Sequence, residues 1–463
     1  MNLLIKNGRV VDPANNRDEK LDILIENSLI KKIAPNIKNV GTNSICAHID
    51  ASRYIVVPGL IDVHVHFRDP GETEKETISS GSQASASGGF TTVICQPNTQ
   101  PRIDTPQKVK EIINRAAKES IVNLYPSACI TKDHRELTDI KAIKDAGAVT
   151  ITDDGDPVIQ DELMEQALRQ AKKYSILVSP HCELSPWAVQ YCRKLRWLTE
   201  FPTNDYTQEP FFIKRDIELA KKTDSKIHIS HVSMEESVIE IARAKRDGVQ
   251  VTCEATPHHL ILDSSAEELY GLNVKVNPPL RSSYDIRALR DGLRDGTIDV
   301  LASDHAPHLS KSPDSSGRLK KVYPLPIERD DVAGAKNNRV NVPIYRDSHF
   351  EDWNKAPFGL VGLETTLGLM LTYLVAPGVI TLQDAIAKMT VNPARIFNLP
   401  TGELKIGMPA DITIIDLAKE WRVDVDKFKS KSRNSPFHNW KLKGKAVATI
   451  ARGKIVMQND KIL

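Results

Sequence analysis

The chain has 463 residues, of which 40% are apolar and 26% charged, and its formal net charge at pH 7 is +2. This length is too great for one small core and predicts one large domain with a smaller one. The near-neutral charge gives no reason to expect nucleic acid or a membrane surface as a partner, although an acidic small molecule could still bind in a locally basic cleft.

Two further features indicate the compartment. The six cysteines are scattered singly without a C-x-x-C pair, which is typical of free thiols in a reducing environment. The start, MNLLIKNGRVVDPANN, lacks the apolar core and the cleavage site of a signal peptide, and no apolar run is long enough to span a bilayer. We therefore expect a cytoplasmic protein.

Both ends of the chain have the pattern of short β-strands separated by turns. The N-terminal segment contains LLIKNGRVV and LDILIENSLIKKIA, and the C-terminal segment contains DITIIDL and KAVATIARGKIVM. Neither segment is long enough to form a good sheet alone. We predict that residues 1–56 and 399–463 pair into one small β-sandwich.

The middle of the chain, residues 57–398, alternates between strand-like and helix-like runs. Strand-like runs extend from YIVVPGLIDVHVHF to DVLASDHAP, and helix-like runs such as TPQKVKEIINRAAKES lie between most of them. About eight alternations predict parallel βαβ units. We expect their strands to close into a (β/α)8 barrel, an α/β fold also called a TIM barrel. A doubly wound open sheet is the alternative, which the number of repeats disfavours.

The predicted strands end in residues that commonly bind metal ions. His64 and His66 end the first strand, and because alternate residues of a strand point to the same side, both should enter the barrel mouth. Later strand ends add Asp153, Asp154, His181, His231 and Asp304. Imidazole and carboxylate without thiolate predict a divalent ion, with zinc preferred over manganese, iron or cobalt. Such an ion would lower the pKa of a bound water.

Other histidines at strand ends have structural interpretations. A single histidine at a strand end is usually packed against its neighbours or caps a turn. The prediction of a metal site therefore depends on the whole set of strand-end residues. We interpret His258 and His259 as supporting or structural residues, and His228 as structural because it faces away on its strand. Asp153 and Asp154 compete for one role. One should bind the metal and the other cap the turn before Gly155, and spacing leaves that choice open.

Arg68 indicates the substrate, because a metal site needs no arginine. A guanidinium group binds a carboxylate through two parallel hydrogen bonds, so Arg68 predicts an acidic ligand. The alternative is a surface salt bridge with Asp69 or Glu72. Asn98 could donate to the same carboxylate, unless it only forms the turn of its Pro-Asn-Thr sequence.

Several stretches of the sequence together match one protein family. They include PGLIDVHVHFRDPGETEKE, GGFTTVICQPNTQP, TDDGDPV, HISHVSMEES, VTCEATPHHL, KVNPPLR, ASDHAPH, APFGLVGLET and GELKIGMPADITIIDL. Over nearly the whole chain the sequence resembles the bacterial type I dihydroorotases of the amidohydrolase superfamily. The resemblance implies reversible cyclisation of N-carbamoyl-L-aspartate to L-dihydroorotate in de novo pyrimidine synthesis. It also implies a homodimer with one or two zinc ions per subunit, two being preferred.

The resemblance assigns roles to individual residues. His64 and His66 match the ligands of one metal, and His181 and His231 match those of a second. Asp154 matches the bridging ligand, at a position where relatives outside this subgroup carry a carboxylated lysine. Asp304 matches a ligand that also transfers the proton and is thus the catalytic residue. The residues implied for substrate binding are Arg68, Asn98, Asn277 and His308.

Two stretches depart from the family pattern, and two other functions remain open. The insertion 309–355 could be a lid, a subunit contact or a surface decoration, and SPWAVQYCRKLRWLTEFPTNDYTQ after His181 replaces a glycine-rich loop. One alternative is a related cyclic amidohydrolase, an allantoinase or hydantoinase, although these usually bring a lysine to the fourth strand. The other is a catalytically silent relative that associates with aspartate transcarbamoylase, which would have lost metal ligands.

Overall fold

The chain begins with five strands that belong to one sheet. The structure, a computed structural model, describes residues 2–38, 46–185, 208–309, 320–324, 341–344 and 356–463. The five strands are β1 (Asn2–Asp12), β2 (Arg17–Glu26), β3 (Leu29–Ala34), β4 (Cys46–Asp50) and β5 (Ile55–Pro58). Strand β1 is central, because it pairs antiparallel with β2 and parallel with β4 and β5.

Eight parallel strands follow and form the predicted barrel. The strands of this part are β6 (Leu60–Val65), β7 (Phe90–Cys95), β8 (Asn123–Ala128), β9 (Thr131–Lys132), β10 (Glu136–Leu137), β11 (Thr150–Ile151), β12 (Leu177–Val178), β13 (Ile227–Ile229), β14 (Val251–Ala255) and β15 (Val300–Leu301). Strands β9 and β10 form a separate hairpin, and the other eight form one sheet in chain order. A parallel bridge between Val65 and His305 joins its two edges, so the barrel closes and the open-sheet alternative is excluded.

Helices cover the outside of the barrel. They are α1 (Ile78–Gly88), α2 (Pro106–Glu119), α3 (Ile140–Ala146), α4 (Asp161–Tyr174), α5 (Gln208–Thr223), α6 (Glu235–Arg246), α7 (Pro257–Ile261), α8 (Ala266–Tyr270), α9 (Ser283–Asp295), α10 (Leu363–Met370), α11 (Leu382–Lys388) and α12 (Val391–Ile396). Side-chain oxygens of Thr77, Thr105 and Ser282 accept backbone N–H groups in the first turns of α1, α2 and α9, which fixes where these helices start. No helix in the described ranges is long and apolar enough to cross a bilayer.

The C-terminal strands complete the first sheet. A hairpin, β16 (Lys320–Pro324) with β17 (Asn341–Ile344), lies within the insertion, and β18 (Ile412–Arg422), β19 (Lys441–Ala451), β20 (Lys454–Gln458) and β21 (Lys461–Ile462) follow later. Strand β18 pairs antiparallel with β5, so the nine-stranded sheet contains both ends of the chain. The predicted pairing of the two termini into a β-sandwich is therefore confirmed.

Separate apolar cores support the sheet and the barrel. Ile5 and Ile23 from the N-terminal strands pack with Ile412, Ile414 and Ile450 from the C-terminal strands. The main core lies between the barrel strands and the surrounding helices, and a smaller core lies around Phe397 with Ile61 and Val63. These layers fix the eight strand ends relative to one another.

The two stretches that depart from the family pattern lie mostly outside the described residues. Most of the insertion 309–355 and nearly all of the stretch after His181, residues 186–207, lie outside the described residues. The predicted roles of the insertion as lid, subunit contact or decoration therefore stay predictions.

Candidate metal centre

The first strand and the eighth strand bring three candidate ligands together. His66 Nε2 lies 3.2 Å from Asp304 Oδ1, and His64 Nε2 lies 3.7 Å from the same oxygen. His64 Nε2 is also 3.2 Å from Asp154 Oδ1, and His66 Nε2 is 3.5 Å from Asp154 Oδ2. All four side chains are buried. The His-x-His sequence thus presents two imidazoles to two carboxylates.

The fifth and sixth strands add a second pair of imidazoles. His181 Nδ1 lies 2.8 Å from His231 Nε2. These two nitrogens are 3.5 Å and 3.7 Å from Asp154 Oδ1. The Asp154 carboxylate therefore lies between the two histidine pairs. The structure brings together all six residues that the sequence predicted as ligands.

The two neighbouring aspartates have separate partners. Asp153 Oδ1 accepts the backbone N–H of Thr131 at 3.0 Å, and Asp153 Oδ2 accepts the hydroxyl of the same residue. Asp153 therefore anchors the hairpin strand β9, while Asp154 faces the histidines. Their spacing in the sequence left open which of the two would face the histidines, and in the structure it is Asp154.

Unsatisfied buried atoms in the cluster indicate how it could bind a cation. Within the described residues, His64 Nε2, Asp154 Oδ1 and His231 Nδ1 are buried and make no hydrogen bond of normal geometry. Two groups have ligand atoms close enough to share an ion, and they consist of His64, His66 and Asp304 and of His64, Asp154 and His231. Imidazole and carboxylate donors suit zinc and similar divalent ions. The residues present therefore fit a divalent metal.

Three residues of the site have unusual backbone geometry. Arg68, His231 and Asp304 have φ values of +55°, +31° and +45°, in the left-handed region that side chains rarely adopt. Such conformations cost on the order of 1–3 kcal/mol each and persist only where the surroundings enforce them. They occur at the ends of β6, β13 and β15, where the backbone must turn the side chains into the barrel mouth.

Glu254, on β14, supports the cluster and was not identified from the sequence. Its Oε1 lies 2.6 Å from His64 Nδ1, and its Oε2 lies 3.2 Å from His228 Nε2. Burial would raise the pKa of Glu254, but His64 and the hydrogen bonds outweigh burial and lower it to about 2. A carboxylate at this place accepts the Nδ1 proton of His64 and leaves Nε2 facing the cluster.

A signal for Glu254 does exist in the sequence. The stretch VTCEATP is otherwise apolar or small, and an acidic residue in a buried strand needs a partner. His228, which we interpreted as structural, contacts Glu254 and Thr252 and does not touch the cluster directly.

Arg68 lies beside the cluster and contacts His308. Arg68 Nη2 donates to His308 Nε2 at 2.9 Å, and Arg68 Nε donates to the Pro307 carbonyl at 3.2 Å. Burial and the charge of Arg68 lower the pKa of His308 to about 2, so the ring is neutral. In the described part of the chain, no carboxylate forms an ion pair with Arg68, and Asp69, its suggested partner, is bound by Arg115 at 2.5 Å.

The two predicted asparagines contact the histidines. Asn98 Oδ1 accepts from His66 Nδ1 at 2.8 Å, and Asn98 Nδ2 donates to Asp154 Oδ2 at 3.1 Å. The side-chain amide of Asn277 lies 3.0 Å from His181 Nε2. Both amides therefore orient ligand candidates, and their contacts to a substrate stay predictions.

The paired histidines of helix α7 differ from each other. His259 bonds Thr256 Oγ1 at 2.8 Å and the Pro278 carbonyl at 2.9 Å, which agrees with a structural role. His258 makes no hydrogen bond through either ring nitrogen within the described residues, and burial lowers its pKa to about 4.

Proteins of known family resemble this chain over its full length. The model of the amidohydrolase family matches residues 55–456. A dihydroorotase of Acetivibrio thermocellus is 40% identical and covers 100% of both chains. A dihydroorotase of Geobacter metallireducens is 42% identical over 98% of this chain and 99% of its own length.

Solved structures of cyclic amidohydrolases have the same fold. An L-hydantoinase (dihydropyrimidinase) from Arthrobacter aurescens superposes with a TM-score of 0.81 and 26% identity, covering 100% of this chain and 97% of its own. A dihydropyrimidinase from Brevibacillus agri gives a TM-score of 0.80 at 22% identity, which supports the fold alone. The resemblance expected from the sequence is confirmed, and the chain belongs to the amidohydrolase family and, within it, to the dihydroorotases.

Proposed function

We propose that this protein catalyses the reversible cyclisation of N-carbamoyl-L-aspartate to L-dihydroorotate and water, in de novo pyrimidine synthesis. One observation in the structure supports this proposal independently of the family membership. Arg68 is a buried guanidinium group without a carboxylate partner in the described residues, and it lies next to a cluster suited to a divalent ion. A substrate that carries both a carboxylate and a hydrolysable ring amide uses both parts of this site.

We infer that His64, His66, Asp154, His181, His231 and Asp304 hold one or two zinc ions, two being preferred. A bound zinc ion would polarise the ring carbonyl and lower the pKa of a water molecule. The chain supplies the orientation of its ligands. Glu254 and Asn98 accept the Nδ1 protons of His64 and His66, which leaves both Nε2 atoms available.

Asp304 is the candidate for proton transfer. Burial raises its pKa, but the adjacent imidazoles of His66 and His64 favour the ionised carboxylate, outweigh burial and hold the pKa below its usual range. It is therefore ionised at neutral pH. In the hydrolytic direction it can accept a proton from the attacking water and deliver it to the departing ring nitrogen.

The substrate carboxylate has a separate binding region. Arg68 offers parallel N–H donors, and the neutral ring of His308 accepts from Arg68 through Nε2 and therefore carries its proton on Nδ1. We propose that Arg68, Asn98, Asn277 and His308 bind the substrate. Because Arg68 is buried, its desolvated charge would be paired only when the acidic substrate is present.

A substrate panel tests the proposed function. Purified protein is assayed with L-dihydroorotate, allantoin and hydantoin, and metal is quantified in the same sample. We expect turnover of dihydroorotate and little or none of the other two, because neither carries a ring carboxylate for Arg68. Turnover of allantoin or hydantoin at a higher rate would favour the related amidohydrolases, and a metal-free inactive protein would favour the silent partner of aspartate transcarbamoylase.

We further propose that the protein is cytoplasmic and forms a homodimer. Aspartate transcarbamoylase is the partner protein to test. Four cysteines in the described ranges, Cys95, Cys129, Cys182 and Cys253, are buried free thiols, which agrees with a reducing compartment. Light scattering after size exclusion, with and without the transcarbamoylase, measures both assemblies. A monomer that does not co-elute would contradict both.

A further inference from the structure

A segment between β18 and β19 buries polar side chains at the barrel mouth. In residues 429–435, sequence KSKSRNS, the side chains of Ser430, Ser432 and Asn434 are buried, whereas those of Lys431 and Arg433 are more exposed. We call residues 429–435 the mouth segment. Small hydroxyl and amide groups contribute little apolar packing, so the buried face of this segment must satisfy polar groups of its neighbours.

One set of contacts binds the loop that follows β6. The hydroxyl of Ser430 donates to Glu76, and the backbone N–H of Lys431 donates to Glu76 Oε1 at 3.2 Å. Ser432 Oγ donates to the Lys75 carbonyl at 2.8 Å. These contacts fix the far end of the loop that begins at Arg68.

A second set of contacts binds the loop that follows β15. Asn434 Oδ1 accepts the backbone N–H of His308 at 3.1 Å, and its Nδ2 donates to the carbonyls of Ala306 and Gly359 at 3.1 Å and 3.0 Å. The Asn434 carbonyl accepts the N–H of Val361 at 2.9 Å. One buried amide thus joins two backbone segments at the mouth.

Gly359 allows this close arrangement. Its φ is +130°, and a Cβ atom added there would lie 2.4 Å from the Cβ of Ala306. The two segments that Asn434 joins are therefore in direct contact, and the Asn434 amide bonds to both of them beside the Ala306 N–H to Leu360 carbonyl bond.

The two loops held by the mouth segment carry Arg68 and His308. These residues contact each other at 2.9 Å, and the mouth segment bonds to both of the loops that carry them. We propose that the mouth segment, through Asn434, is a positioning element that holds Arg68 and His308 in register for the substrate carboxylate. This inference rests on the proposed function, because the proposed dihydroorotase substrate supplies that carboxylate.

The expected consequence is selective for substrate binding. Asn434 makes no contact with the histidine cluster or Asp304 among its described hydrogen bonds. Weakening it should loosen the carboxylate region while the cluster stays intact. The carboxylate is bound in both the ground state and the transition state. Losing an interaction that both states share raises KM and leaves kcat almost unchanged.

Asn434→Ala tests the inference. We expect KM for dihydroorotate to rise roughly tenfold, in line with the loss of two or three hydrogen bonds, with kcat and metal content retained. Binding of orotate, which carries the ring carboxylate but is not hydrolysed, should weaken by a similar factor in calorimetry. The matched control is Asn392→Ala, which removes a 2.9 Å bond to the Asp299 carbonyl away from the mouth and should leave both constants unchanged.

The outcomes separate this inference from the proposed function. An inactive wild type contradicts the proposed function, whereas an active wild type with an unchanged KM in Asn434→Ala overturns the positioning role alone. A fall in kcat together with metal loss would mean that Asn434 supports the whole site, which also overturns it. If Asn434→Ala does not fold, Ser432→Ala provides the second variant, and a KM that equals that of wild type there overturns the inference.

Discussion

At the residue scale, the orientation of the ligand candidates His64 and His66 depends on the group behind each ring. His64 donates through Nδ1 to Glu254, and His66 donates through Nδ1 to Asn98. Each bond fixes both the ring orientation and the tautomer, because the nitrogen that donates cannot also bind a metal. The cluster should therefore be sensitive to changes that leave all six ligand candidates in place.

Glu254→Gln tests this dependence. The amide keeps the size of the side chain but removes the charge that favours the Nδ1 proton of His64. We expect metal affinity to fall about 10–100-fold, measured by competition with a chelating dye. Glu236→Gln, on the exposed face of α6, is the control. An unchanged affinity in Glu254→Gln would contradict the proposed orientation of His64.

Arg68→Met separates the carboxylate region from the metal region. Methionine keeps much of the apolar volume but removes the guanidinium donors, so we expect kcat/KM for dihydroorotate to fall by at least 100-fold, consistent with the loss of a buried charged pair. Metal content should not change. Arg169→Met on the exposed side of α4 is the matched control. Normal turnover in Arg68→Met would remove this residue from the substrate site.

The sequence was sufficient to identify residues that follow strands but not those that support them. His64, His66, His181, His231 and Asp304 are conspicuous because polar residues follow apolar runs. Glu254 lies within a strand, and its partner His64 is 190 residues away in the chain. Only the closed barrel brings that pair together, and the direction of Asp153 and Asp154 likewise depends on the local backbone.

At the scale of elements, helix α10 and the mouth segment share a titratable contact. Glu364, in the first turn of α10, accepts the backbone N–H groups of Lys429 and Ser430 at 2.8 Å and 3.1 Å. Burial raises the pKa of Glu364 to about 8, and these two hydrogen bonds only partly offset that effect. The folded protein therefore binds the Glu364 proton more tightly than the unfolded chain does.

This contact predicts a pH dependence of stability. A carboxyl group whose pKa is raised on folding stabilises fully below its unfolded pKa, about 4.3, and loses this contribution as the pH rises towards 8. Glu364→Gln keeps the acceptor and cannot ionise. We expect its Tm, relative to wild type, to rise by a few degrees between pH 5.5 and pH 8.5, measured by calorimetry. A difference that stays constant or falls with pH would contradict this contact.

Element boundaries could be predicted less well than element order. The run AVTITDD predicts a long strand, but β11 contains only Thr150–Ile151. Beyond it, Thr152 still donates its N–H to the Ala128 carbonyl of β8, whereas Asp153 bonds Thr131 and Asp154 faces the cluster. Side-chain contacts to Thr131 and to the cluster therefore occur where the local pattern favours regular strand pairing.

At the scale of the whole molecule, the terminal sheet and the barrel depend on each other. Strand β18 lies between β5 and β19, so the sheet cannot form from either end of the chain alone. The eight alternations were sufficient to predict the barrel, because each βαβ unit buries its strand only by adding the next one. The domain ranges 1–56, 57–398 and 399–463 stay a prediction. The boundary between residues 56 and 57 falls within β5.

A truncation tests this dependence. A chain that ends at residue 398 loses Ile412, Ile414 and Ile450 from the core of the sheet and also loses the mouth segment. We expect little soluble protein. Circular dichroism during heating should show no cooperative thermal transition in what remains soluble. Soluble truncated protein with a sharp transition and normal KM would contradict both the shared sheet and the positioning role of the mouth segment.

The central claim is that six side chains from the ends of five barrel strands hold a divalent ion beside Arg68. Anomalous diffraction at the zinc edge from crystals of the purified, active protein tests this claim most directly. We predict one or two peaks within about 2.0–2.2 Å of His64, His66, Asp154, His181, His231 or Asp304 atoms. A fully active protein that shows no metal peak at this cluster would contradict the account.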